Sequence, residues 1–96
     1  MGYYLFLLSI TQQGIEHMKQ IPNRVEDFKK LCESKGVTIH GHYFTFGRYD
    51  VVLILEAEDD EKIMSTILSL EKLGNVRSET LKAFTYEEAK TIIEKL

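Results

Sequence analysis

An α+β domain of ferredoxin-like βαββαβ plan with an added C-terminal helix is the fold class that this 96-residue sequence predicts. Three observations predict it. Apolar, aromatic or β-branched runs stand at residues 3–10, 37–46, 51–57 and 75–84; helical periodicity fills the intervals after the first and third of them; and glycines punctuate the joins. A composition 44% hydrophobic and 28% charged fits one domain over residues 1–96.

The first run, "YYLFLLSI", is apolar at successive positions, so both faces of this strand must be covered. Thr11 offers a cap for a short helical segment over 12–20. Pro22 fits the first turn of a second helical stretch, where its missing N–H costs nothing. Val25, Phe28, Leu31 and Cys32 then recur at helical spacing, and Gly36 ends the helix. Only four residues separate the runs at 37–46 and 51–57, which predicts a hairpin with Gly47 at positive φ in the corner. Asp59 or Asp60 caps a helix over 60–73 with Ile63, Met64, Ile67, Leu68 and Leu70 on its apolar face, and Gly74 stops it. Residues 75–84 read as a fourth, more polar strand. Thr85 and Glu88 form a capping box for a closing helix with Ala89, Ile92, Ile93 and Leu96 on one side.

In residues 51–55, Val51, Leu53 and Leu55 point one way while Val52 and Ile54 point the other. Two helices cover one face of a four-stranded antiparallel sheet, so the other face is left apolar, which soluble monomers rarely tolerate. The sequence therefore predicts a homodimer or higher oligomer in which a second copy packs on the open face. In the competing arrangement the C-terminal helix folds back over its own sheet.

The net charge of −3 comes from 15 acids and 12 bases without a long block of either sign, which argues against nucleic acid or an anionic membrane as a partner. Residues 1–10 lack a basic leader and a small-residue cleavage site and fall short of the about 20 apolar residues of a span, so a cytoplasmic location is expected. Cys32, the single cysteine, allows no internal disulfide and reads as a small core residue. There is no phosphate loop, nucleophile elbow or helix-borne di-metal pattern, and no cofactor is expected.

Three groups of residues suit chemistry. His40 and His42, two apart on a strand, project from one face and suit proton transfer; a metal would need a third ligand that is not visible, so none is expected. Arg48, Tyr49 and Asp50 offer a cation, a phenol and a carboxylate within one turn, which suits a zwitterionic or acidic small molecule; the local alternative is that they only build the turn. Arg77 and Glu79 share a strand face, where they pair with each other, pair across strands or touch a ligand.

The blocks "TFGRYDVVLILEAEDDE" and "LGNVRSETLKAFTYEE", with "TQQGIEHMK" near the start, resemble the GYD-domain family, named for the residues that are Gly47, Tyr49 and Asp50 here. The resemblance covers nearly the whole chain and implies a fold rather than an activity; His40 and His42 are not part of its pattern. More distantly, Gly47, Tyr49, Asp50, Val76, Arg77 and Thr80 are similar to positions in the effector-binding domain of leucine-responsive (Lrp/AsnC) regulators, without their N-terminal helix-turn-helix. That likeness implies sheet-to-sheet dimers of the dimeric α/β-barrel type with small ligands near the hairpin. The leading expectation is a stand-alone, non-enzymatic, homo-oligomeric module that binds a small metabolite at or between subunits, with Arg48, Tyr49, Asp50, His40, His42 and Arg77 as candidate contacts. The alternatives are a cofactor-independent enzyme of oxygenase or isomerase type, with His40 or His42 as proton carrier in a sheet-lined cavity, and a purely structural assembly subunit.

Overall fold

The computed structural model describes residues 2–96, and residue 1 of the expected domain lies outside the described residues. The order is β1 (Gly2–Ile10), α1 (Gln12–Glu16), α2 (Ile21–Lys35), β2 (Thr38–Phe44), β3 (Val51–Ala57), α3 (Asp60–Glu71), β4 (Val76–Ala83) and α4 (Tyr86–Glu94). This is the ferredoxin-like plan plus a terminal helix. The segment expected to be one helix over 12–20 is split, because His17 leaves helical geometry at φ −115° and ψ 31°, and a 3-10 turn, Met18–Gln20, leads into α2.

The sheet is antiparallel in the order β2-β3-β1-β4. In register, Tyr4 faces Leu55, Phe6 faces Leu53 and Leu8 faces Val51. All six are buried, and Phe28 and Cys32 of α2 with Ile63 and Ile67 of α3 complete the core above them. Burial pushes the Cys32 thiol up to about 11, so it stays protonated and behaves as packing. The punctuation follows the residue chemistry: Gly36, Gly47 and Gly74 take φ of 74°, 113° and 82°, Asp59 accepts from the Lys62 N–H, and the Thr85–Glu88 capping box is formed in both directions.

β2 ends at Phe44, two residues before the expected boundary. The Thr45 N–H donates to the Asp50 carbonyl at 2.9 Å and its hydroxyl to the Tyr49 carbonyl at 2.7 Å, which closes the turn and leaves Phe46 outside the sheet, fully exposed.

The placement of the two strand histidines corrects the expectation from their spacing. Ile39 pairs with Leu55 but Gly41 already pairs with Ile54, so a β-bulge inserts His40 as an extra residue. The bulge resets the alternation. His42 and Phe44 then pair with the core residues Leu53 and Val51 and point to the helix side, whereas His40 lies on the open side beside Tyr3 and Glu56.

The open side carries Tyr3, Leu5, Leu7, Val52 and Ile54, all half-buried. α4 does not cover them: it buries no residue, and Ile92 and Ile93 are 49% and 63% exposed. The chain measures 50 × 31 × 18 Å, and its radius of gyration of 14.5 Å exceeds the roughly 12.5 Å of a compact chain of this length. No described helix is long and apolar enough to cross a membrane.

Candidate functional site

A cavity of about 340 Å³ opens between the helix-covered side of the sheet and the α1–α2–α3 ends. Leu8, Val51 and Leu53 form its floor, Phe28 and Leu31 of α2 and Leu70 of α3 its roof. The bulge in β2 brings His42 and Phe44 into its wall, their rings stacked at 5.6 Å. Arg24, Asp27 and Lys72 stand at its polar rim, and none of the three belongs to an ion pair among the described residues. Its size is at the lower end of small-molecule pockets, and its lining is apolar with few polar groups, as such pockets commonly are.

Burial holds the His42 imidazole below its ordinary value of 6.5, and the Lys29 charge adds to the effect. His42 is therefore neutral at pH 7 and able to accept a proton. The unfolded chain binds that proton more readily, so the stability tied to His42 is fully present above about pH 6.5 and is lost as the pH falls towards its folded-state value. Urea midpoints measured at about pH 7.5 and about pH 5.5 fall less in His42→Gln than in the unsubstituted protein; an equal fall in both places the pH dependence elsewhere.

The turn residues divide by role. Asp50 is tied into the backbone: its carboxylate accepts from the Ile10 N–H at 2.8 Å, and its own N–H donates to the Leu8 carbonyl at 2.8 Å. It extends the β1–β3 pairing past Val51 and satisfies a donor the ladder leaves over. Asp50→Ala orphans the Ile10 N–H and costs about 1–3 kcal/mol in urea unfolding, whereas Asp50→Asn keeps an acceptor and costs less. If Asp50→Ala is as stable as the parent, this anchoring role is wrong.

Tyr49 reaches across the end of β1, and its hydroxyl donates to Glu79 of β4, an attachment that raises the Tyr49 phenol above its ordinary value. Arg48 lies 5.8 Å from the centre of the Tyr49 ring and is exposed. Arg77 pairs in register with Ser9, and Glu79 with Leu7, so both belong to the open side. Glu79 therefore bonds to Tyr49, and no Arg77–Glu79 ion pair forms among the described residues. At the opposite end of the same face, His40 Nε2 meets Glu56 at 2.7 Å. The six candidates thus fall in three places: His42 in the cavity, Asp50 in the backbone, and Arg48, Tyr49, Arg77 and His40 at the rims of the open face.

Two features were not legible in the residue pattern. Tyr4, Asp60 and Lys82 form a cluster in which the Tyr4 hydroxyl donates to Asp60 and Lys82 Nζ approaches the same carboxylate at 3.1 Å. The Tyr4 hydroxyl, then Lys82, holds Asp60 below its usual range. Asp60 and Lys82 are well exposed, so the cluster fastens the start of α3 to the sheet edge in a screened setting. Gly14 is buried in α1, where a Cβ would stand 2.4 Å from the Asn75 carbonyl oxygen. Neither feature follows from spacing, because each joins distant parts of the chain: Tyr4 lies 56 positions from Asp60, and Lys82 lies 22 from it.

Comparison with known proteins agrees with this architecture. Residues 4–93 match the family described as "GYD domain". A relative from Thermus thermophilus, named "Glutamine synthetase and cystathionine beta-lyase binding protein", is 31% identical over 84 residues, spanning 86% of this chain and 88% of its own. Among solved structures, FFRP-DM1 superposes with a TM-score of 0.62 at 15% identity over 88% of this chain and all of its own. MtbAldR superposes with a TM-score of 0.60 at 14% identity over 86% of this chain and 52% of its own. At these identities the likeness is one of fold, the ferredoxin-like α+β plan that the element order predicts.

Proposed function

The chain belongs to the GYD domain family, and from that premise we propose that it is a homo-oligomeric binding module, not an enzyme, that holds a small metabolite at or between subunits. The observation that carries this reading is a sheet apolar on both faces and covered by helices on only one. A second copy on the open face removes Leu5, Leu7, Val52 and Ile54 from water, and the rim residues Arg48, Tyr49 and Arg77 then border the subunit boundary. Sedimentation velocity at micromolar concentration is expected to show a dimer or larger species; a monomer overturns the self-association.

The ligand's apolar body fits the cavity beside His42. A thermal-shift screen of small organic acids and amino acids tests this. A stabilising compound is expected to lose its effect in Val25→Phe, which fills the cavity from α2, and to keep it in Arg48→Ala. The reverse pattern moves the ligand to the rim of the open face, between subunits. No stabilising compound at all overturns the ligand reading.

The name of the Thermus relative favours a second reading, in which the open face takes another protein, an enzyme, in place of a second copy. It is preferred if the chain alone sediments as a monomer and co-sediments with a purified glutamine synthetase. A proton-transfer enzyme is the third reading, supported by the neutral His42 in the cavity wall.

A further inference from the structure

α4 is a capped, fully formed helix with its apolar side uncovered. Tyr86, Ala89, Ile92 and Ile93 fall along one side of it at helical spacing, with Leu96 just past its end, and Tyr86 and Leu96 are 76% and 97% exposed. Nine residues are too few for a helix to persist in water on propensity alone. The capping box contributes only about 1 kcal/mol. The rest must come from apolar contact, and the chain's own sheet does not supply it.

The open face has the matching deficit. Four strands about 4.8 Å apart and about 25 Å long give it a footprint of roughly 500 Å². That falls short of the roughly 800 Å² each partner contributes to a stable interface. A helix of this length adds about 14 Å of apolar stripe to whatever it lies against. Charge agrees with the same occupant. Arg48 and Arg77 are exposed at one end of the open face and form no ion pair among the described residues, while α4 carries Glu87 and Glu94.

We propose that α4 is an exchanged arm, which crosses the subunit boundary and lays Ile92, Ile93 and Leu96 along the rim of the open sheet face of a second copy. The proposal rests on the self-association reading above. It goes further, since two sheets could meet face to face with both terminal helices left in water. Exchange closes both deficits at once: each helix covers the edge of the interface that the sheets alone leave wet, and each receives the contact that keeps it folded. Glu87 and Glu94 of the arm are opposite in sign to the exposed arginines of the second copy's open face, which favours this docking over others.

Two experiments on the full chain test it. In Ile92→Asp/Ile93→Asp, both positions are exposed in the single chain, so the circular dichroism of the domain core is expected to be retained while the dimer dissociation constant rises at least tenfold; a smaller rise overturns the proposal. In a Cys32→Ser background, chains carrying Ile93→Cys are mixed with chains carrying Leu81→Cys under mild oxidation. A disulfide between the two kinds of chain is expected. A chain carrying both cysteines that closes an internal disulfide as a monomer shows the helix folded over its own sheet and overturns the exchange. An unsubstituted chain that is monomeric defeats the self-association reading itself, whereas an intact dimer indifferent to the α4 variants defeats the exchanged arm alone.

Discussion

If the open face is the subunit boundary proposed above, Leu5→Glu is expected to give a folded monomer at micromolar concentration, with its far-ultraviolet circular dichroism retained. Leu5 stands on the central strand of the open face, in register with Ile54 on one side and Leu81 on the other. In the single chain it is only half-buried, so a carboxylate there finds water and the domain stays folded, at a strand-propensity cost of about 1 kcal/mol or less. Under a second copy the same carboxylate is buried without a partner, at a cost of several kcal/mol, and twofold symmetry imposes it twice. At about 1.4 kcal/mol per tenfold, the dissociation constant is expected to rise at least about a thousandfold. Sedimentation velocity across a concentration series reads it directly. A Leu5→Glu protein that remains a dimer would locate the interface on another surface.

Gly14→Ala lowers the melting temperature by at least about 8 °C, and the sign comes from a contest between two effects. Alanine is the better helix former by about 1 kcal/mol, which alone makes the substitution stabilising. The added Cβ would stand 2.4 Å from the Asn75 carbonyl oxygen and 2.7 Å from Ile10 Cγ2, however, and real Cβ atoms essentially never come that close. The obstacle is backbone rather than a flexible side chain. The Asn75 carbonyl accepts from the Thr11 N–H at 3.0 Å, and the Thr11 hydroxyl donates to the Gly74 carbonyl at 2.6 Å, so the α3–β4 loop is stitched to the start of α1 and cannot move away without losing both bonds. A net loss of about 2 kcal/mol or more is expected, each kcal/mol being worth roughly 4–8 °C in a domain of this size. Gln12→Ala, an exposed change in the same short helix, serves as the control and should stay within about 0.5 kcal/mol. If Gly14→Ala melts no lower than Gln12→Ala, α1 and the α3–β4 loop are not packed as described.

These two residues also mark where sequence reading runs out. The open face is visible in the sequence, since alternation along "VVLILEA" commits apolar side chains to both sides of β3 whatever it pairs with. Gly14 carries no such mark. Its role depends on where the α3–β4 loop crosses α1, sixty residues away in the chain.

The same division runs through the candidate site. Local chemistry determined the element order, the three glycine turns, an aspartate cap at residue 59 or 60 and the Thr85–Glu88 capping box, because each of these is decided within a few residues by backbone sterics or a short-range hydrogen bond. The sequence also committed apolar side chains to both faces of the sheet, and the structure decided that α4 leaves one of them uncovered. Only the tertiary structure decided which histidine faces the cavity, since one inserted residue at His40 reverses the side to which every later residue of β2 points. It also decided that Asp50 serves the Ile10 N–H and that Tyr49 reaches Glu79, both matters of strand register. Register is fixed by the burial of whole strand faces at once, so it belongs to the assembled sheet and not to any short stretch of chain.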